Sequence, residues 1–434
     1  MAISSDISDS SQIRPATLRV LDFEVALGEV LLHAAQLRAN SDGTLEEVPL
    51  LESAGRVLGR AIAADRDHPP FDRSTRDGFA VRATEFSAGG GWLRIVGQVR
   101  AGEVWSGPPL SNDEAIEIMT GAPLPAGADA VAMVEHIELD GGNVRAQQGR
   151  HLMAGENVVA QGSEARAGEI VVAVGSVIGA AEIALAATAG QSTLTVSGRP
   201  SVAIVATGDE LVELHETPGS RQIRNSNGYA LATLVKLAGA LPYRLAIARD
   251  VREELLQRIA EARQHDLILF SGGVSMGKYD LVEEVLAELG AEFFFTGVKM
   301  QPGKPVVFGW LPERREAGET LPERYFFGLP GNPVSTQVTF HCFVEPFLRT
   351  LLGEDASGPR FAQATLAHDV EGKPGLTRML PARLDSDVRH ASVKLVGWLG
   401  SGDLAANARA NCYAVLPPDR SEFRAGEAIS IMLR

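Results

Sequence analysis

Four short stretches of this 434-residue chain set acidic, hydroxyl or amide-bearing groups among turn-forming residues: Thr207-Gly208-Asp209-Glu210, Arg249-Asp250, Ser271 to Asp280, and Leu329 to Ser335. A fifth, Lys299-Met300-Gln301-Pro302-Gly303-Lys304-Pro305, adds a lysine. Glycine lets a backbone approach a ligand closely and leaves amides free to face an anion. Ser271, Gly272, Gly273, Ser275, Gly277 and Lys278 therefore suit a phosphate, and Pro330-Gly331-Asn332 offers a second such loop. Asn332 can cap a helix whose first residue is Pro333. The positive end of that helix would face a phosphate or oxyanion. Glu210, Asp250 and Asp280 occur among these donors. Carboxylates beside a phosphate site make sense when a hard divalent cation bridges them, and Mg²⁺ takes oxygen ligands of this kind. The expectation is a phosphorylated ligand with a metal at its acidic end.

Taken singly, each residue has a plainer reading. Asp280 with Glu283 makes a capping box, so Asp280 could be only an N-cap. Asp209 and Glu210 could form a solvated turn, and Lys278 and Lys304 could be ordinary surface charges. Residues 272–278 nearly match the GxxxxGK phosphate loop of nucleoside triphosphatases, but Tyr279 stands where a Ser or Thr hydroxyl must reach magnesium. His341-Cys342 lies within an apolar helical stripe and reads as packing. The combination, rather than any one residue, favours a ligand site.

The elements that must hold these loops are legible in the hydrophobic pattern. From residue 199 to 354, apolar runs such as "SVAIVA" and "DLILFSGG" alternate with amphipathic stretches such as "VREELLQRIAEARQH" and "LVEEVLAELG". Asn225 or Asn227 can cap the helix in "NSNGYALATLVKLAG". This pattern implies a doubly wound, mostly parallel sheet with helices on both faces, and ligands bind beyond the carboxyl ends of such strands. Residues 355–434 have short strands and turns, as expected for a small C-terminal β-barrel. Residues 67–162 read as an inserted β-rich domain. Residues 16–66 and 163–198 read as a helical/extended linker domain, with helices in 21–39, in "LESAGRVLGRAIAAD" and in 176–190. Residues 1–15 read as a polar disordered tail. The fold class is multi-domain α/β.

Composition narrows the partners. Lys+Arg total 40 against 55 Asp+Glu, a net charge of -15. That argues against general nucleic-acid binding and against an anionic membrane surface. Cys342 and Cys412 are the two cysteines and form no CxxC, so neither a zinc site nor a disulfide framework is expected. No apolar run reaches the roughly 18 residues of a membrane span, and the N-terminus lacks the features of a signal peptide. The cytoplasm is the expected location.

With these stretches in place, the chain resembles the MoeA family of molybdopterin molybdenumtransferases, which is similar to the C-terminal domain of gephyrin. The resemblance covers about residues 20–434. It is carried by "PPFDRSTRDGFAVRA", "IMTGAPLPAGADAV", "GENVVAQGSE", "VATGDEL", "NSNGYAL", "SGGVSMGKYD", "PGKP", "GLPGNPVS" and "GSGDLAANARAN". It implies insertion of molybdenum from molybdate into adenylyl-molybdopterin with release of AMP, use of Mg²⁺, and a homodimer with sites shared between subunits. It implies catalytic roles for Asp77, Thr120, Glu210, Asp250, Asp280 and Lys304, with metal at Glu210, Asp250 and Asp280. Thr207, Gly208, the Ser271–Lys278 loop and Pro330 to Asn332 would hold the nucleotide-linked pterin. Lys304, Pro305, Ser335, Arg378 and Ser401 would hold molybdate. The sequence departs from the family pattern at Arg76, Glu164, Gln301 and Leu376, so two cationic groups near the oxyanion pocket are absent, with Arg378 close by. A scaffold on the same fold, or a molybdopterin adenylyltransferase, is the alternative reading. The joint presence of Glu210, Asp250, Asp280 and Lys304 favours the enzyme over the scaffold.

Overall fold

The computed structural model describes residues 19–40, 43–86, 90–272, 281–316, 319–354 and 358–434. The expected polar tail, and Gly273, Ser275, Gly277, Lys278 and Asp280, lie outside the described residues. The chain divides into two compact units: Met1–Glu46 with Gly55–Val57 and Ser197–Arg434, and Glu47–Ala54 with Leu58–Val196.

The first unit is built on a six-stranded sheet. Its order is Leu241–Arg244, Ser201–Ala206, Leu267–Ser271, Arg324–Leu329, Val307–Leu311 and Glu292–Phe295. The first four strands are parallel; Val307–Leu311 runs against them and Glu292–Phe295 runs antiparallel to it in turn. Strand alternation fills both faces. Val202, Ile204, Leu267, Leu269, Phe327 and Leu329 enter one core, with helices Phe23–Asn40, Ser226–Leu237, Pro333–Thr339 and Glu345–Leu352. Ala203, Val205, Ile268, Phe270 and Phe326 enter the other, with helices Arg252–Ala262 and Leu281–Glu288. The expected doubly wound, mostly parallel sheet is therefore present. Phe308 stacks on Phe327 with centroids 4.6 Å apart and meets Phe347 edge-on. Phe308→Ala would cost about 3–5 kcal/mol, the usual loss for a buried phenylalanine.

The same unit carries the C-terminal barrel. Thr377–Ser386 pairs with Ala391–Leu395, which pairs with Phe361–Leu366, then Ala428–Leu433, then Cys412–Leu416. Cys412–Leu416 returns to Thr377–Ser386, and this closes the ring. The short strand Met300–Gln301 adds to its side by pairing with Thr377-Arg378.

The second unit holds a six-stranded sheet in the order Ala130–Met133, Gly78–Val81, Glu114–Ile118, Leu93–Val99, Asn143–Ala146, Ile137–Asp140. Helix Ala180–Thr188 packs separately, with Leu58, Ile62, Val172 and Val196.

Two expectations in the linker region fail. Helix Phe23–Asn40 forms, but its buried residues Phe23, Ala26, Val30 and Ala34 belong to the α/β core rather than to a helical domain. The second helix, "LESAGRVLGRAIAAD", does not form. A 3-10 turn at Leu50–Ser53 is followed by Gly55 at φ +76° and a strand at Ile62–Ala63. Left-handed Gly55 breaks the helical path, and Leu58 bridges to Val196 as extended chain.

Candidate functional site

Register decides which loops meet. Ala206 lies opposite Ser271, and Ser271 opposite Leu329. Thr207, Gly272 and Pro330 are therefore the first residues beyond three adjacent parallel strands. They are laced together: the Thr207 amide donates to the Ser271 carbonyl at 3.1 Å, and the Gly272 amide to the Leu329 carbonyl at 3.3 Å. Gly208, at φ +137°, donates its amide to Ala248 at 3.1 Å. Gly272 sits at φ +91°, and a Cβ there would lie 2.7 Å from the Thr207 carbonyl oxygen. The Thr207 hydroxyl is buried and has no hydrogen-bond partner among the described residues.

The acidic groups gather at the edge of this row. Arg249 donates to the carbonyls of Asp209 at 2.9 Å and Leu211 at 3.1 Å, and this pins the turn that carries Glu210. The Asp250 amide donates to the Asp209 carboxylate at 3.2 Å. Burial, together with the charges of Asp209 and Glu210, pushes the Asp250 carboxyl up, although a hydrogen bond that the carboxyl accepts from the Asp209 backbone acts against this. Crowded carboxylates of this kind favour a proton or a cation between them. Among the described residues no three such groups are arranged to hold a metal, and Asp280 is not among them.

A second cluster lies around the Gln301–Pro305 turn. Gly303, at φ +104°, would bring a Cβ within 2.5 Å of the Thr339 methyl, so the turn packs directly on helix Pro333–Thr339. Lys304 is exposed and Ser335 is buried in that helix. The Ser401 carbonyl accepts the Val334 amide at 2.9 Å, which brings the 397–403 loop over the helix start. Gln301 pairs in register with Arg378. These contacts tie Ser401 to the start of the helix that carries Ser335, set the turn that carries Lys304 and Pro305 against the same helix, and pair Arg378 with Gln301. The expected cap differs: Asn332 occupies the N-cap position before Pro333 but makes no side-chain cap bond. Its loop is held instead by the buried Thr336 hydroxyl, which donates to the Pro330 carbonyl at 2.5 Å.

In the second unit, one Asp77 carboxylate oxygen accepts from the Thr120 amide at 2.7 Å and from its hydroxyl at 2.8 Å. Those two bonds hold the Asp77 carboxyl below the usual carboxylate range.

Three sequence models cover this chain. The MoeA N-terminal region (domain I and II) matches residues 21–190, a probable molybdopterin binding domain matches 203–350, and the MoeA C-terminal region (domain IV) matches 363–433. The chain belongs to the MoeA family. Among curated MoeA relatives, a molybdopterin molybdenumtransferase of Staphylococcus epidermidis is 33% identical over 392 residues, 89% of this chain and 90% of that protein. One from Staphylococcus aureus is 34% identical over 393 residues, again 89% and 90%. A crystal structure of the molybdopterin biosynthesis moeA protein from Pyrococcus horikoshii superposes with a TM-score of 0.75 at 25% identity, covering 96% of this chain and 100% of that one.

Set against the MoeA motifs, the departures have visible partners. Glu164 forms an ion pair with Arg73 at 2.9 Å. Arg76 is exposed, and the Ser74 hydroxyl donates to its carbonyl. Leu376 is half-buried in the turn before Thr377. Arg378 donates to the Glu371 carbonyl at 2.6 Å.

Two residues of this MoeA site escaped sequence reading. Arg249 was visible only as a charge beside Asp250. Asn227 was visible only as an alternative cap, whereas Asn225 does the capping by accepting the Gly228 amide at 2.9 Å. The second asparagine of "NSN" was the available signal.

Proposed function

We propose that this chain is a molybdopterin molybdenumtransferase that inserts molybdenum from molybdate into adenylyl-molybdopterin and releases AMP, the last step of molybdenum cofactor biosynthesis. The observation that carries this reading is the row of strand ends at Thr207, Ser271-Gly272 and Pro330-Gly331, with Glu210 and Asp250 at its edge. Backbone amides and hydroxyls there suit the phosphates of a nucleotide-linked pterin.

Molybdate is a tetrahedral oxyanion. Lys304 and Arg378 supply positive charge, and the Ser335 and Ser401 hydroxyls supply neutral donors. Mg²⁺ fits the acidic edge by its donor chemistry: Glu210 and Asp250, with Asp280, would supply oxygen ligands, and a divalent cation would offset the burial and the neighbouring charges that raise Asp250. When bound there it neutralises charge on the phosphoanhydride. Asp77, kept ionised by the two bonds from Thr120, has the acceptor character that activation of a hydrolytic water calls for. The protein works in the cytoplasm as a homodimer. No helix among the described residues is long and apolar enough to cross a membrane.

The test supplies purified protein with adenylyl-molybdopterin, molybdate and Mg²⁺, and follows both AMP release and transfer of molybdenum to an apo-molybdoenzyme. AMP release without molybdenum transfer would reduce the proposal to a hydrolase.

A further inference from the structure

The Asn227 side chain bridges two of the three strand ends. Its amide nitrogen donates to the Gly331 carbonyl at 2.8 Å and to the Ser271 hydroxyl at 3.1 Å. A carbonyl oxygen only accepts, so the amide nitrogen must face Gly331. The second N–H of the same nitrogen then goes to Ser271. Both hydrogens of the amide are committed, and they commit the Ser271 oxygen as an acceptor on that side.

A hydroxyl that accepts on one side has its own proton to give on another. Among the described residues the Ser271 hydroxyl donates to no acceptor, although Ser271 is only 2% exposed. Beside it the Thr207 hydroxyl is also buried, with no partner. A Cβ on Gly331 would touch the Gly272 Cα at 3.6 Å, so the two loops are already in van der Waals contact where Asn227 ties them. Asn227 stands in the first turn of helix Ser226–Leu237, whose start is fixed by the Asn225 cap. The bridge is thus mounted on an element that does not itself belong to either loop.

We propose that Asn227 is a positioning residue: it holds the Ser271 turn against the Gly331 loop and orients the Ser271 hydroxyl as a proton donor to an oxygen of the bound phosphoanhydride. This rests on the reading of these strand ends as the adenylyl-molybdopterin site. Asn227 need not touch the substrate; it acts through the serine.

The test replaces Asn227 by Asp, with and without Ser271→Ala, in the full-length protein. The isosteric carboxylate sits near a helix N-terminus, where negative charge is tolerated or favoured, so the fold is retained. An ionised Asp only accepts. It therefore accepts a hydrogen bond from the Ser271 hydroxyl and reverses the direction of that bond. Adenylyl-molybdopterin binding by Asn227→Asp should weaken at pH 8 by about tenfold or more, the loss of one charge-assisted hydrogen bond. Binding should recover as pH falls and the carboxyl regains a proton to donate.

That recovery should largely vanish in the Asn227→Asp/Ser271→Ala double variant, because the serine is the group through which the change acts. Charge repulsion alone would leave the pH response intact in the double variant, and that result overturns the proposal. Asn227→Ala, which removes the bridge without adding charge, should raise KM more than it lowers kcat and should not add to Ser271→Ala. Additive effects would also overturn it. If wild-type protein binds no adenylyl-molybdopterin, the proposed function itself fails. If wild type binds and every Asn227 variant binds equally well, only the role of Asn227 fails.

Discussion

Gln301 and Arg378 face each other in register on adjacent parallel strands, and each keeps a buried polar atom, Oε1 of the glutamine and Nε of the arginine, without a hydrogen-bond partner among the described residues. A buried group left in this state costs about 1–3 kcal/mol. An acceptor and a donor stand together at the edge of the proposed oxyanion pocket, where the family pattern has a lysine in place of the glutamine.

An amide in place of an ammonium should hold molybdate weakly. We expect a high molybdate requirement for AMP release that falls when Gln301→Lys and Leu376→Arg are introduced together. Each charge-assisted hydrogen bond gained is worth roughly 1.5–3 kcal/mol, so about ten- to hundredfold is the expected scale. Lys304→Ala should abolish the response that remains. Saturation of the natural protein at low micromolar molybdate, with no change on Gln301→Lys, would show that Arg378 or a backbone amide already supplies the missing donor.

At the acidic edge, Glu210→Gln, Asp250→Asn and Asp280→Asn should each raise the Mg²⁺ concentration needed for half-maximal AMP release by tenfold or more. Burial and the charges of Asp209 and Glu210 raise Asp250. Ionising a carboxyl whose folded pKa is raised disfavours the fold as pH climbs past its ordinary range. Asp250→Asn should therefore leave the melting temperature unchanged or higher at pH 8 without metal. It should also reduce the stabilisation that added Mg²⁺ gives to wild type. An unaltered Mg²⁺ requirement in all three variants would remove the metal from this edge.

The Asp77 carboxyl is depressed first by the Thr120 amide and then by the Thr120 hydroxyl. A depressed carboxyl contributes stability above its ordinary pKa and loses it as pH falls through the folded value. Thr120→Val deletes the hydroxyl bond and keeps the amide bond. The Asp77 midpoint, followed by carboxyl-carbon NMR, should rise part of the way to the ordinary range. A midpoint identical to wild type would mean that the hydroxyl bond is absent in solution.

The proposed homodimer, with sites shared between subunits, makes a separate prediction. Asp77→Ala and Asp280→Ala, each inactive alone, should partly complement when mixed and allowed to exchange subunits. Heterodimers verified by mass that show no activity would mean that each site is built from one chain.

Gly272→Ala should destabilise the protein by about 1–3 kcal/mol in denaturant titration, the usual cost of a strained backbone position. The added methyl meets the Thr207 carbonyl oxygen at 2.7 Å with φ at +91°. Gly331→Ala provides the contrast, since its added methyl makes only an ordinary 3.6 Å contact with the Gly272 Cα. Equal costs for the two would remove the special status of Gly272.

How far such features can be read ahead depends on their range. Ser201–Ala206 and Leu267–Ser271 were legible because strands buried on both faces are continuous apolar runs. The loops at their ends were legible for the same reason, since glycine and charge interrupt those runs. Residues 51–65 misled because apolar spacing there fits a helix, while Gly55 and the distant partner Val196 impose an extended path. The two antiparallel pairings at one side of the sheet, Val307–Leu311 with Arg324–Leu329 and with the edge strand Glu292–Phe295, depend on register that no local pattern encodes. Asn227 and Gln301 were opaque for a related reason. What an amide side chain bonds to across the fold is set by tertiary placement, so only their residue types were visible. Thr207 was visible as a loop residue, but not as a buried hydroxyl without a partner.

Helix Phe23–Asn40 buries Phe23 against Phe343, with ring centroids 5.7 Å apart, near the start of Glu345–Leu352. On the ribosome these partners are separated by on the order of 300 residues, which at about 5–20 residues per second is roughly 15–60 s of synthesis. For most of that interval, until Phe294 and then Phe343 emerge, the apolar stripe of the first helix lacks these native partners. The intervening unit, Leu58–Val196, meanwhile has all three of its own cores available and can close behind the leaving segment. Vectorial synthesis therefore finishes the middle of this protein before its beginning, and the period of greatest aggregation risk ends only when the stretch around Phe343 and Phe347 emerges.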